Sequence, residues 1–166
     1  MKLYLMRHGP AEDQAESGRD EDRALTSSGR ERVRRVAKAL LGFDEAPARI
    51  ISSPLVRAVQ TAEIMASEAR NDDRGNDVEV GYELRPGGPA ASLIRSLTAA
   101  RPKRVMLVGH EPDLSRLAES FLGPFKRSFD KAMVIGLRLD SPGAHVELRF
   151  VLDPNTLRMD PDARTV

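Results

Sequence analysis

The sequence predicts an α/β fold: a single three-layer α/β/α domain whose mostly parallel central sheet is flanked by helices and ends in a C-terminal antiparallel hairpin. Three observations predict it. Residues 3–6 (Leu-Tyr-Leu-Met) and 105–108 (Val-Met-Leu-Val) are continuous apolar runs too short for helices, the pattern of strands buried on both faces. Between them lie segments whose apolar residues recur at helical spacing, and strand alternating with helix builds a parallel sheet. After residue 132 the period becomes two, as in an antiparallel pair.

Length and composition set the class. At 166 residues the chain is expected to form one domain over 1–166, with enough material for a continuous core. A hydrophobic content of 40% with 31% charged residues belongs to a globular protein, and no apolar run approaches the length of a membrane span. Only four consecutive apolar residues precede Arg7, which is no secretory signal, so the cytoplasm is the expected compartment. The chain has no cysteine, which excludes disulfides, thiolate metal sites and a cysteine nucleophile. Lys and Arg number 26 against 25 Asp and Glu, and aromatics are 4%, so neither a bulk positive field nor a stacking surface points to nucleic acid.

The first apolar run ends in Arg7-His8-Gly9. Ligands of open α/β sheets sit beyond the carboxyl ends of strands, so these residues would stand at the edge of a crevice. Arginine offers a planar fork of donors for phosphate, histidine a nitrogen that is largely neutral near pH 7, and glycine lets the backbone approach a ligand. Residues 11–23 have mixed charge without hydrophobic period and are expected to be a solvated loop that at most rims the site. Ser28 and Glu31 have the spacing of a capping box for a helix whose buried face is Val33, Val36, Ala37, Leu40 and Leu41, ended by Gly42.

Residues 49–52 form the next strand, with Ser53 expected as N-cap and Pro54 as first residue of a helix buried through Leu55, Ala58, Val59, Ala62, Met65, Ala66 and Ala69. Arg57 lies off that stripe in the first turn. A cation is mildly disfavoured there by the helix dipole unless it joins the free N–H groups in gripping an anion. Residues 70–77 read as a polar loop, 78–80 as a short strand, 83–89 as irregular because of Pro and Gly, and 90–100 as a helix.

The second apolar run ends in Gly109-His110-Glu111-Pro112, the counterpart of the opening motif. Asp113 is the expected N-cap of a helix packed through Leu114, Leu117, Ala118, Phe121 and Leu122 and stopped by Gly123-Pro124. The hairpin pairs Met133, Ile135, Leu137 and Leu139 with Val146, Leu148, Phe150 and Leu152 around a turn at Ser141-Pro142-Gly143. His145 is placed on its outer face, and the tail from Asp153 is expected to be irregular.

Strand ends thus bring Arg7, His8, Arg57 and His110 to one sheet edge, an anion-binding set that contains a nucleophile. A divalent metal is the competing use of paired histidines, but two guanidinium groups would repel it and no carboxylate–histidine spacing supports it, so no metal is expected. Lys126, Arg127 and Lys131 could add a basic rim facing an acidic partner.

Four segments in order resemble the histidine phosphatase superfamily, which has the phosphoglycerate mutase-like fold. They are Leu5-Met6-Arg7-His8-Gly9; Leu25-Thr26 with Gly29; Ser52-Ser53-Pro54-Leu55 with Arg57, Ala58, Gln60 and Thr61; and Val108-Gly109-His110-Glu111-Pro112. The compact length and the Gly-His-Glu-Pro-Asp-Leu segment are most similar to bacterial phosphohistidine phosphatases of the SixA type. The similarity runs from residue 2 to about 159 and includes Leu157-Arg158-Met159.

The resemblance implies that His8 attacks phosphorus and forms a covalent phosphohistidine intermediate, that Arg7 and Arg57 hold the nonbridging oxygens, and that His110 is a further donor. Gly9 and Lys131 are expected near phosphate or substrate. Glu83 is the closest match to the family's general acid, with Glu111 as alternative. No cofactor is expected. The partner implied is a protein bearing phosphohistidine, such as a phosphotransfer domain. A small phosphorylated molecule is the alternative substrate, and a non-catalytic phosphohistidine-binding domain the alternative to an enzyme.

Overall fold

The computed structural model describes residues 1–69, 78–125, 127–140 and 146–161. The chain runs β1 (Lys2–Arg7), α1 (Ser27–Gly42), β2 (Arg49–Ser52), α2 (Val56–Glu68), β3 (Val78–Val80), α3 (Ala90–Ala100), β4 (Arg104–Gly109), α4 (Asp113–Leu122), β5 (Val134–Leu139), β6 (Val146–Leu152) and β7 (Met159–Asp160). Short 3-10 turns cover Asp20–Asp22 and Tyr82–Leu84. The strands form one seven-stranded sheet in the order β3-β2-β4-β1-β5-β6-β7. The pairs β2–β3, β2–β4 and β1–β4 are parallel, while β1–β5, β5–β6 and β6–β7 are antiparallel. The sheet is therefore mixed, half built by crossovers and half by the C-terminal strands.

Alternation along β1 divides the core. Leu3 and Leu5 face one cluster with Ile94 and Leu97 of α3 and Leu114 and Leu117 of α4. Tyr4 and Met6 face a second cluster with Val33, Val36 and Leu40 of α1 and Ala58, Ala62 and Met65 of α2. Two helices on each face of the sheet make the three layers, and β1, buried on both sides, needs the continuous apolar run seen in the sequence. No helix among the described residues is long and apolar enough to cross a membrane.

Several boundaries differ from expectation because a side chain found another partner. Thr26 caps α1, its Oγ1 accepting from Gly29 N–H at 2.9 Å, and Ser28 falls inside the first turn, so the Ser28–Glu31 box does not form. Helix α2 begins at Val56 with Leu55 at the cap position, and Ser53 instead sits in the site described below. Pro112 occupies the cap position of α4, while the Asp113 carboxylate accepts from Gly87 N–H at 2.7 Å on a neighbouring loop. The 83–89 segment contains part of a 3-10 turn, and the tail adds β7 to the sheet. The 70–77 loop, Lys126, the Ser141-Pro142-Gly143 turn and His145 lie outside the described residues.

Register sets the functional edge. Arg7 lies opposite Gly109 and Ser52 opposite Val108, so β1, β2 and β4 end level, and Ser53 N–H bonds Val108 C=O at 2.9 Å. The loop leaving β1 docks on α1, where Thr26 N–H bonds Pro10 C=O at 3.1 Å and a Cβ at Gly29 would lie 2.0 Å from the same oxygen. Helix propensity alone would favour Gly29→Ala by about 1 kcal/mol, but overpacking against a backbone that cannot yield costs about 1–3 kcal/mol or more. The expected outcome of Gly29→Ala is a net loss of stability, read as a lower urea midpoint at unchanged slope.

Candidate active site

His8 follows β1 directly and is only 7% exposed. Its Nδ1 lies 2.8 Å from Gly9 C=O, and a carbonyl can only accept, so the ring hydrogen sits on Nδ1 and Nε2 keeps its lone pair. Gly9 N–H is bound to Thr61 Oγ1 at 3.0 Å, and the Thr61 hydroxyl donates to Arg57 C=O at 2.7 Å. The β1 loop and the first turn of α2 are thereby joined through one threonine. The close approach that Gly9 makes is to α1, where an added Cβ would lie 2.6 Å from Val33.

Arg7 directs Nη1 to Phe129 C=O at 2.6 Å. Arg57, 6% exposed, gives Nη1 to Asp20 C=O at 2.7 Å and Nη2 to the Asp20 carboxylate at 2.8 Å. The loop expected only to rim the site thus supplies a partner for one of its arginines. His110, 4% exposed, has Nε2 2.7 Å from Ser53 Oγ, and its ring centroid is 5.1 Å from that of His8. Ser53 Oγ accepts Leu55 N–H at 3.4 Å, and where its hydroxyl hydrogen is donated to His110 Nε2 the ring hydrogen of His110 sits on Nδ1.

Three buried side-chain nitrogens among the described residues lack any hydrogen-bond partner: Arg7 Nε, Arg57 Nε and His110 Nδ1. Buried polar groups are nearly always satisfied, and each orphan costs about 1–3 kcal/mol. All three belong to the four residues brought together from separate strand ends, so unsatisfied buried nitrogens converge on one place in the fold. Among the described residues no group of three or more His, Asp or Glu is placed to hold a metal ion.

The charges act on the imidazoles. Burial, reinforced by His110, Arg57 and Arg7 against the opposing bond to Gly9, lowers the His8 pKa to about 3. Burial, then Arg57 and Arg7, lowers His110 to about 4, with Asp20 acting the other way. Asp20 is itself held below the usual carboxylate range by hydrogen bonds from Arg23 and Arg57.

The remaining expected residues are less central. Glu83 is half-buried in the 3-10 turn after β3, and its carboxylate has no hydrogen bond or ion pair among the described residues. Glu111 accepts from Ser115 Oγ at 2.9 Å and Phe129 N–H at 3.2 Å. Lys131 sits in the turn before β5, next to Ala132, whose N–H reaches the carbonyls of Arg7 and His8 at 3.1 and 3.2 Å. Arg127 acts on Asp153, whose carboxyl is held low chiefly by the Thr156 and Asn155 amides. Sequence reasoning missed Asp20, the role of Ser53 and the Phe129 carbonyl. Thr61 had a signal, its position four residues after Arg57, where a hydroxyl can bond back to the helix.

The chain is similar to known proteins over most of its length. Residues 3–84 match the model of the histidine phosphatase superfamily, branch 1. A solved structure of the protein histidine phosphatase SixA complexed with tungstate superposes with a TM-score of 0.84 at 26% identity, covering 95% of this chain and 100% of that one. The chain belongs to the histidine phosphatase superfamily. Its fold is the phosphoglycerate mutase-like fold of SixA and its relatives. Phosphohistidine phosphatase SixA of Escherichia coli K12 is 29% identical over 163 residues, 96% of this chain and 98% of that protein. An uncharacterised protein of Picosynechococcus sp. is 38% identical over 144 residues, 83% of this chain and 85% of its own. Superfamily members are phosphatases, which supports a hydrolase.

Both imidazoles titrate below the value of about 6.5 they have in an unfolded chain. As pH falls, the unfolded chain binds these protons first, so stability declines from about pH 6.5 toward the folded values and gains no further loss from these groups below them. Urea unfolding between pH 7 and 4.5 is expected to show this decline, and His110→Gln to reduce it. Nitrogen NMR should find both rings neutral at pH 6, with the His8 hydrogen on Nδ1.

Proposed function

We propose that this protein is a phosphohistidine phosphatase of the histidine phosphatase superfamily, working through a covalent intermediate on His8. The observation that carries the reading is the set of three orphan nitrogens, Arg7 Nε, Arg57 Nε and His110 Nδ1, beside an imidazole whose Nε2 is free to attack. The tungstate in the SixA structure is a tetrahedral oxyanion, the shape and charge that such donors would fit.

In the first half-reaction the His8 Nε2 lone pair attacks phosphorus in line, a P–N bond to His8 forms, and the P–N bond to the substrate imidazole breaks. The Nδ1–H bond to Gly9 C=O stabilises the positive charge that His8 acquires. Arg7, Arg57 and His110 donate to the nonbridging oxygens and offset charge in the transition state. In the second half-reaction water attacks the phosphorus, the His8–P bond breaks, and inorganic phosphate leaves with His8 restored. The positive charge for both steps comes from the chain's own guanidinium groups, so no metal or cofactor is needed.

An imidazole leaving group departs more easily than an alkoxide, which lessens the need for a general acid. Of the two carboxylates considered, Glu111 is occupied by Phe129 and Ser115, whereas Glu83 is unpaired among the described residues and available for proton transfer. The β3–β4 connection holds only a 3-10 turn and the short α3, and a site without a larger insertion over it suits a phosphohistidine displayed on a protein surface such as a phosphotransfer domain. Lys131, whose neighbour Ala132 bonds the Arg7 and His8 carbonyls, is a candidate contact for substrate.

The decisive experiment follows turnover of a phosphohistidine protein beside p-nitrophenyl phosphate, without added metal, and traps the enzyme. Acid-labile, base-stable label on His8, absent from His8→Ala, is expected, with the phosphoramidate preferred. Preference for the ester would favour a small-molecule phosphomonoesterase, and phosphate binding without turnover a binding domain. Arg57→Ala should lower kcat by about 10²–10³-fold.

A further inference from the structure

We propose that Glu111 is a positioning residue for Arg7, acting through the main chain of Phe129; this rests on the reading that Arg7 holds the phosphoryl group. The Glu111 carboxylate stands one residue after His110 and accepts Phe129 N–H at 3.2 Å and Ser115 Oγ at 2.9 Å through the same oxygen, Oε1. The carbonyl of that same Phe129 accepts Arg7 Nη1 at 2.6 Å. One residue therefore receives the end of β4 on its N–H and the end of β1 on its C=O.

Glu111 holds the N-terminal side of Phe129, while on its other side the turn closed by Met133 N–H to Asp130 C=O at 2.9 Å is tied to β1 through Ala132 N–H. Residues 127–130 belong to no helix or strand, so no ladder fixes their peptides. The Phe129 ring is 1% exposed, packed in the cluster with Leu114 and Leu117 and 6.4 Å from the Phe125 ring. The ring anchors the Cα and the bond from Glu111 fixes the preceding peptide, so the carbonyl in the following peptide is held between that fixed peptide and the Asp130–Met133 turn; without Glu111 the first of these supports is lost. With Nη1 tied back, the orphan Nε of Arg7 is held in one direction, as an oxyanion donor requires.

The chemistry asks for an acceptor at the right reach, not for a charge. Among the described residues Glu111 pairs with no cation, and Oε1 takes both donors. Glutamine supplies the same oxygen at the same distance, whereas aspartate keeps the charge and loses one methylene of reach. The two substitutions separate positioning from proton transfer.

Binding of inorganic phosphate and of tungstate is measured by calorimetry for the full chain and for E111Q, E111D and E111A, with the Arg7 Nε–H resonance, assigned from its loss in Arg7→Lys, as a local readout. E111Q is expected within roughly twofold of the unaltered protein, and E111D and E111A weaker by on the order of tenfold with a broadened Arg7 resonance, since small misplacements of a binding group are costly. Should E111A not fold, E111D against E111Q carries the comparison. Retained affinity and an unchanged Arg7 resonance in E111D would overturn the proposal, as would a loss in E111Q equal to that in E111D. Absence of anion binding by the unaltered protein would instead remove the phosphate reading on which it rests.

Discussion

The parallel register between β1, β2 and β4 fixes where the chemistry sits. Arg7 is level with Gly109 and Ser52 with Val108, so all three strands leave the ladder at the same height and deliver His8, Ser53 and His110 within reach of one another. A slip of one residue would exchange Leu3 and Leu5 with Tyr4 and Met6 between the two cores, which no packing could absorb. The geometry of the site is thus enforced by apolar burial several residues away, and the polar groups inherit a position they could not hold by their own bonds.

The two ends of β1 treat buried polarity in opposite ways. At its start, Glu45 is enclosed by Tyr4 OH at 2.7 Å, Lys2 Nζ at 2.9 Å and Arg149 Nη1 at 2.7 Å. Burial alone would raise the Glu45 pKa, and these three donors outweigh it and hold the carboxyl below its usual range. At its finish, Arg7 Nε, Arg57 Nε and His110 Nδ1 have no hydrogen-bond partner among the described residues. The start of β1 is thus satisfied within the fold, whereas its finish carries unpaired buried nitrogens that lower stability and would recover that free energy on pairing with the anion of the proposed reaction.

Legibility in the sequence followed the range of the interaction. Strands β1 and β4 and the helical stripes were readable because burial repeats with a local period, and Arg7, His8 and His110 because they directly follow those runs. The caps were misplaced where an oxygen was diverted to a distant partner: Ser53 to His110, 57 residues on, and Asp113 to Gly87, 26 residues back. Asp20 was invisible for the same reason, its ion pair with Arg57 spanning 37 residues and its setting indistinguishable from a solvated charged loop. Strand β7 has two residues and hence no period to detect. The orphan nitrogens cannot be read from sequence at all, because an absence of partners is a property of the assembled fold.

The same positive charge serves two opposite purposes. Arg7 and Arg57 add to burial in keeping His8 and His110 neutral, which in the proposed reaction preserves the lone pair of His8 as nucleophile. In that reaction an entering phosphoryl group would carry negative charge into the field and reverse the balance felt by both rings, so that anion binding would raise their proton affinity. By linkage, protonation must strengthen anion binding by the same factor. Under the proposed mechanism the ring with its Nδ1 bound to a carbonyl is the one able to carry positive charge once Nε2 has bonded to phosphorus, and the ring bonded to Ser53 serves as donor through Nδ1. Two histidines of similar burial thus differ by a single hydrogen bond each, Gly9 C=O for one and Ser53 Oγ for the other, and the proposed mechanism gives them different tasks on that difference.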